Sequence, residues 1–346
     1  MKRVFLLIAI LAVVGALIIG WTFLGPATAF DTPKKAFYIG STAATKEAVL
    51  DSINKNDIIK STSAFTWLAD RMHYWKSIKP GKYEIKKGSS LLTIIRMLRN
   101  GRQTPVNLVI NKIRTKEDLA RIIGNHFECD SLQVVQFLNN DDSLKKYGTD
   151  TTTATWVIIP DKYTFFWNTT PKKIYQRLYD ESKKFWTEER KQKANAQGLT
   201  PLQVYILASI VEEETNANAE KGNIASVYMN RLTHHMPLQA DPTIKFAMRD
   251  FSLKRIYEKY LFTPSPYNTY RNTGLPPGPI CTPSKTTIEA VLNAPKTDYL
   301  YFVANSSFNG THVFSNTYEE HIKKAHEYQQ ALNERALLNE AKPEAK

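Results

Sequence analysis

Two cysteines in 346 residues, Cys129 and Cys281, are too few for a disulfide framework. They lie in unrelated contexts, with no C-x-x-C pair and no Cys/His cluster at ligand spacing, so separate thiols and no metal are expected. His234-His235 also lack a third ligand at such spacing. There is no glycine-rich phosphate loop and no nucleophile elbow, and no cofactor is expected. Acidic residues are scarce: 33 Asp and Glu stand against 46 Lys and Arg, a formal charge of +13. Such a surplus suits a polyanion (nucleic acid, anionic lipid or an anionic wall polymer), or else serves simple solubility. Nucleic acid fits poorly. The cations are interleaved with acids, as from Lys183-Lys184 to Glu188-Glu189-Arg190-Lys191, and no zinc-finger or ribonucleoprotein signature occurs.

Long apolar runs are confined to one place. Lys2-Arg3 precede an uncharged run from Val4 to Leu24. As a helix this run is about 30 Å long, enough to cross a hydrocarbon core. Cations before it and none directly after it place the N-terminus inside and the body outside the cytoplasm. Ala27-Thr28-Ala29 has the small-x-small form of a signal-peptide cleavage site. The run is longer than a usual signal-peptide core, so the expectation is an uncleaved, single-pass anchor in the cell inner (plasma) membrane.

What remains can bury real cores, with 42% hydrophobic and 11% aromatic residues and length for about two domains. A short strand is expected at Ala36–Ile39, with helices from Thr45 to Ile53 and Ser61 to Trp75, each opened by a capping hydroxyl. Pro80-Gly81 turns into an alternating strand, Lys82–Lys86, and Leu91, Leu92, Ile94, Ile95 and Leu98 follow at helical spacing. The stretch Tyr83-x-Ile85-x-x-Gly88-x-x-Leu91-x-x-Ile94 resembles the first half of a LysM motif, a module that binds N-acetylglucosamine chains; a plain strand–turn–helix accounts for it equally well. Val106–Ile110 reads as a strand, Thr115 and Asp118 as a capping box for a helix through Phe127, and Ser131 as the start of another helix. Residues 149–155 are the most linker-like. Helices are expected at 171–194 and 200–216, with Gly198 and Pro201 between them, and a frayed tail from Asn339.

The chemistry concentrates after Leu202. Leu202, Ile206, Leu207, Ile210 and Val211 form an apolar stripe that ends in Glu212, Glu213 and Glu214. Glu214 continues the stripe, three, four and seven residues beyond Val211, Ile210 and Leu207. Glu213 borders it and Glu212 lies off it. A carboxyl among apolar groups keeps its proton to higher pH, which suits a general acid for a glycosidic oxygen. The competing reading is a helix end turning into solvent.

Several segments then occur in order: Leu207-Ala-Ser-Ile-Val-Glu-Glu-Glu-Thr215, Ala225-Ser-Val-Tyr-Met-Asn-Arg-Leu232, Met236-Pro-Leu-Gln-Ala-Asp-Pro-Thr243, Ser265-Pro-Tyr-Asn-Thr-Tyr270, Gly274-Leu-Pro-Pro-Gly278, Tyr299-Leu-Tyr-Phe-Val-Ala304 and His312-Val-Phe-Ser315. Together they resemble the MltG (YceG-like) family of endolytic murein transglycosylases, over residues 36–330 and most strongly from 202. The resemblance implies an α+β protein. Its expected parts are an anchor and flank (1–29), a LysM-like α/β region (30–105), a connecting α/β region (106–155), a mixed α+β catalytic domain (156–335) and a flexible tail (336–346). It implies cleavage of the bond between N-acetylmuramic acid and N-acetylglucosamine within peptidoglycan strands, leaving 1,6-anhydro ends. Glu214 matches the second acidic position of the family's Val/Ile-Glu-x-Glu-Thr motif. Peptidoglycan synthases are implied partners. The chain departs from the pattern at Glu213, where Lys is common, at His235, where Gly usually precedes Met236, at Cys281-Thr-Pro-Ser284, and at Asn111-Lys112 in place of a Glu-Gly turn.

Other residues carry two readings each. Asn230 and Arg231 either bond sugar hydroxyls and orient Glu214 or secure a helix end. Gln239 and Asp241 form a sugar-binding rim, or Asp241 caps a helix beginning near Pro242. Tyr267, Asn268 and Tyr270 supply the aromatic faces and amide of a saccharide site. His312 is a site residue or a strand-end histidine. Two rival functions stay open: a hydrolase using Asp241 as second carboxylate, and a non-enzymatic wall-binding adaptor.

Overall fold

The uncharged run forms one helix, α1 (Lys2–Leu24), in the computed structural model, which describes residues 2–340. Nearly all of its side chains are exposed, and it is long and apolar enough to cross a bilayer. It does not end in a linker. Gly25 N–H closes onto Trp21 O at 2.8 Å, and within three residues the chain is buried: Ala27, Thr28 and Phe30 all lie inside. Ala27 N–H donates to Ser89 O at 3.0 Å, Ala29 N–H to Ile58 O at 3.1 Å, and Thr28 bridges Ile59. The Ala27-Thr28-Ala29 tripeptide is therefore a seam of the fold.

The chain forms two compact units. The first comprises residues 1–108, 122–131 and 163–171. After α1 it runs β1 (Lys34–Ile39), α2 (Lys46–Lys55), α3 (Thr62–Arg71), β2 (Gly81–Lys86) and α4 (Leu91–Asn100). β1 and β2 pair antiparallel with Phe37 opposite Tyr83, so the period-2 alternation turns Phe37, Ile39, Tyr83 and Ile85 inward. Thr45, Ser61 and Ser90 cap the three short helices by accepting the N–H of Ala48, Ala64 and Thr93; each such cap contributes about 1 kcal/mol. α3 stops short of Trp75 because His73 turns into the left-handed region at φ 53°, starting a 3-10 turn.

β3 (Val106–Ile110) follows, then α5 (Lys116–His126), α6 (Ser131–Leu138), α7 (Asp141–Lys145) and β4 (Asp161–Phe165), which pairs with β3. The α5 cap is reciprocal: Asp118 N–H donates to Thr115 Oγ1 and Thr115 N–H to Asp118 Oδ2, both at 3.1 Å. Residues 149–155 are not a linker. Asp150 Oδ1 accepts the N–H of Thr152 and Thr153 and the Thr153 hydroxyl, each at 2.8 Å, while Thr149, Thr153 and Ala154 are buried. The segment is polar because Asp150 organises its turn, with Asp150 and Thr152 facing water and Thr149 and Thr153 turned inward.

The second unit comprises residues 109–121, 132–162 and 172 onward. It contains α8 (Pro171–Phe185), α9 (Glu188–Ala196), α10 (Pro201–Glu214), α11 (Lys221–Thr233), α12 (Asp241–Met248), α13 (Lys285–Leu292), β5 (Tyr301–Ala304), β6 (His312–Ser315) and α14 (Tyr318–Glu340). The helix expected over 171–194 is two, broken where Thr187 caps α9 by accepting Arg190 N–H. α10 starts at a capping box of Thr200 and Gln203 with Pro201 in its first turn. It is no amphipathic stripe: every residue from Val204 to Val211 is buried, and α9, α11, α12 and α13 surround it. Its one polar member in that stretch, Ser209, donates to Ile206 O and accepts Ile280 N–H. α14 packs on the β5–β6 hairpin and stays helical through Glu340, so Asn339 and Glu340 are not frayed as expected, and the rest of the expected tail, 341–346, lies outside the described residues.

Candidate active site

α10 ends by sending its three glutamates in three directions. Each step of a helix turns about 100°, so adjacent residues cannot share a face. Glu212 Oε2 meets the buried Lys221 Nζ at 3.2 Å and Ser284 Oγ at 3.0 Å, and also takes the Thr287 hydroxyl. Glu213 takes a two-pronged bond from Arg114, at 3.0 and 2.9 Å, with Lys112 at 3.2 Å. Burial pushes the Glu213 carboxyl up, but Arg114 and Lys112 outweigh it and hold it below the usual range. Among the described residues Glu214 forms no ion pair, and only the more distant Lys245 charge favours its carboxylate. Its Oε1 accepts the buried Tyr228 hydroxyl at 2.5 Å.

Glu214 and Tyr228 line a cavity of about 280 Å³ with Arg231, Leu238, Gln239, Asp241, Tyr270, Phe302 and His321. Burial pushes the Glu214 carboxyl up to about 7, the Tyr228 bond opposes this by favouring the carboxylate, and the Asp241 charge adds to the rise. A carboxyl with that affinity can give up a proton and take one back near neutral pH. Larger cavities exist, of about 450 Å³ beside Arg114 and Tyr267 and about 550 Å³ beside Met229 and Leu275, but neither contains Glu214.

The expected rim is divided. Arg231, Gln239, Asp241 and Tyr270 share the cavity with Glu214. Arg231 is buried and spends its hydrogen bonds on the carbonyls of Leu300 (2.7 Å), Pro237 (3.3 Å) and Leu238 (2.9 Å) and on Gln239 Oε1 (3.2 Å). Gln239 is held at φ 53°, a left-handed conformation unusual for a side chain of its kind. Asp241 is not a cap, because α12 begins at Asp241 itself with Ala240 as its N-cap. Its Oδ1 accepts the Tyr270 hydroxyl at 2.6 Å.

Asn230, Tyr267, Asn268 and His312 do not line that cavity. The Asn230 amide donates to Thr297 O (2.7 Å) and Tyr299 O (2.9 Å), pinning the chain ahead of β5. Asn268 is fully buried and bonds Leu261 O (2.9 Å), Thr263 O (2.8 Å) and Tyr270 N–H (3.0 Å), shaping the loop that presents Tyr270. Tyr267 lines the cavity beside Arg114 and packs on Phe246. His312 binds Glu220 twice, through its backbone N–H at 2.8 Å and Nδ1 at 2.9 Å, and Glu220 in turn takes the hydroxyl of Thr215, the residue after Glu214.

Four cavity residues escaped the sequence reading: Tyr228, Leu238, Phe302 and His321. Tyr228 sits one helix away, fourteen residues from Glu214, and is reached across the break after Glu214, a 3-10 turn at Asn218–Glu220 and about two turns of α11. His321 lies on α14, stacked on Tyr301 at 5.2 Å, where burial and then Arg231 lower its pKa and favour neutral imidazole. Its Nδ1 is buried without a hydrogen-bond partner.

Three departures from the resembled pattern have structural counterparts. His235 holds φ 55°, the left-handed conformation a glycine adopts freely, so the loop keeps its path with a strained residue. Lys112 and Glu213 meet as an ion pair, so these two unusual residues compensate each other. Cys129 and Cys281 are both buried and unpaired.

The sequence profile of the YceG-like family matches residues 38–327. An endolytic murein transglycosylase of Bacillus subtilis (strain 168) is 32% identical over 303 residues, 83% of each chain. One from Streptococcus pneumoniae (strain R6) is 27% identical over 80% of this chain, which spans 55% of that longer protein. A crystal structure of a yceG-like protein from Listeria monocytogenes aligns with a TM-score of 0.56 and 27% identity, covering 85% of this chain and 99% of that one.

Proposed function

This chain belongs to the YceG-like family, and from that premise we propose that it is a peptidoglycan lytic transglycosylase, a lyase that cuts within glycan strands with Glu214 as its acid and base. The single observation that carries this is the contrast within one run of carboxylates: Glu212 and Glu213 are neutralised by cations, while Glu214 answers burial by holding a proton to about pH 7.

In the proposed reaction, Glu214 donates its proton to the oxygen between N-acetylmuramic acid and N-acetylglucosamine as the C1–oxygen bond breaks. The resulting carboxylate takes the proton of the muramyl C6 hydroxyl while that oxygen bonds C1. Atoms balance without water, one carboxyl serves both transfers, and the new end is a 1,6-anhydro sugar. Tyr228 holds Oε1 and leaves Oε2 for the proton. Tyr270 and Phe302 offer faces to sugar rings, and Gln239, Asp241 and His321 offer polar atoms. Asn230, Asn268 and His312 act as positioning residues for this cavity. The first unit, with its strand–helix–helix–strand order and LysM-like stretch, is the proposed glycan-holding part. α1 anchors the body outside the cytoplasm, where peptidoglycan synthases are its proposed partners.

Asp241 in the same cavity gives the hydrolase reading its one support. Mass spectrometry of glycan strands digested by the full chain separates the two. Anhydro ends that vanish in Glu214→Gln are expected; reducing ends would replace the lyase reading with hydrolysis, and no cleavage by folded protein would remove both.

A further inference from the structure

We infer that the first unit is seated in the lipid headgroup layer through one face of α3, with Trp67 as its interfacial anchor. The inference rests on the reading of α1 as a membrane span. Leu24 is the last residue of that helix, and Ala27 is already buried in the unit. Three residues of chain reach about 10 Å at most, and the headgroup zone on each side of a bilayer is itself only several ångströms deep. The seam at Ala27, Thr28 and Ala29 is bonded to Ser89, Ile58 and Ile59, so it cannot lengthen without opening the fold. A span inserted to Leu24 brings the adjoining surface of the unit to the lipid.

The identity of that surface follows from what the end of α1 touches. Phe23 stacks on Trp67 with ring centroids 5.0 Å apart and planes at 23°. Trp67 is nonetheless 50% exposed, a large apolar ring left uncovered beside an exposed apolar helix. Arg71, one turn along α3, holds its guanidinium 5.3 Å from the Trp67 ring, and Lys60 lies exposed before the helix starts. An amphipathic indole with Arg71 over its ring, and Lys60 reaching Pro26 O at 3.5 Å just past the end of α1, is the chemistry of the layer between acyl chains and phosphates: the ring takes the apolar side and the cations meet lipid phosphate. The occupant is therefore an anionic bilayer surface. The seating also requires an intact chain, since cleavage after Ala29 would remove the seam.

The test uses the full chain reconstituted in vesicles of phosphatidylcholine and phosphatidylglycerol whose acyl chains are brominated close to the headgroup. Bromine quenches tryptophan only on near contact. The emission of Trp67 is read as the difference between the wild type and Trp67→Phe, which keeps a ring on Phe23, and that of Trp21 as the difference from Trp21→Phe. Loss of Trp67 emission in brominated vesicles, at full intensity in unbrominated ones, is the expected result. Quenching of Trp21 with none of Trp67 would overturn the seating and leave the span intact. Quenching of neither would overturn the span, and the seating with it.

Discussion

The Tyr228 hydroxyl donates to Glu214 Oε1 at 2.5 Å from the neighbouring helix, leaving Oε2 with no partner among the described residues. Burial keeps the tyrosine proton in place by raising the phenol's pKa, and the Glu214 charge reinforces this. The pair is thus a fixed donor and an acid with one free oxygen.

Removing that donor should raise the Glu214 pKa further, because the bond favours the carboxylate. A hydrogen bond to a charged group contributes about 1.5–3 kcal/mol, so in Tyr228→Phe the limb where activity falls with rising pH should move up by about one to two units. The rate at pH 6 should drop roughly tenfold, since the carboxylate formed after proton donation loses its support. Rates of strand cleavage measured across pH for both proteins decide this. A limb that stays put, or moves down, would show that Tyr228 does not act through Glu214.

Glu214→Gln should abolish cleavage and stabilise the fold at alkaline pH. The folded carboxyl holds its proton to about 7 against an ordinary 4.5, so between those values the native state binds more protons and stability falls as pH rises. The stabilisation is fully present below 4.5 and lost through about 7. The amide never ionises and still accepts from Tyr228. Urea unfolding should show the variant ahead by up to about 3 kcal/mol at pH 8 and level with the wild type at pH 4.5. Equal stability at pH 8 would mean that Glu214 is not a strained carboxylate.

Glu212→Gln should do the reverse. It leaves the buried Lys221 ammonium without its counter-charge, costing about 3 kcal/mol of stability. Activity per folded molecule should remain substantial, with an unchanged pH profile. If the folded Glu212 variant is inactive and Glu214→Gln is not, the acid has been misidentified.

His235→Gly should relieve the left-handed backbone strain and stabilise by about 1 kcal/mol without altering cleavage. A thermal shift to lower temperature would show that the imidazole makes a compensating contact.

Local chemistry was legible in the sequence to the residue. Hydroxyl caps at Thr45 and Ser61 and the box at Thr115 depend on neighbours three positions away, as do the caps at Ser90 and Thr200 that only the structure revealed. The apolar pattern of α10 was misread as a stripe, because full burial and one-sided burial look alike where only Ser209 interrupts the run. The polar run at 149–155 deceived in the opposite sense, since composition does not record that Asp150 bonds its own turn. Within the cavity, Arg231, Gln239, Asp241 and Tyr270 were foreseeable as polar or aromatic residues near turns, whereas Tyr228, Phe302 and His321 come together only through the packing of α10 and α11 with the β5–β6 hairpin and α14.

Glu212, Glu213 and Glu214 occupy the last turn of α10, where unpaired carbonyls collect the negative pole of its dipole. Carboxylates are disfavoured there by about 0.3–1 kcal/mol each. Two of the three escape that penalty by recruiting Lys221 and the Arg114–Lys112 pair from distant parts of the chain. The third forms no ion pair among the described residues, and its way to shed charge is to bind a proton. Backbone dipoles, which no side-chain substitution can remove, therefore act as a standing bias toward the acid.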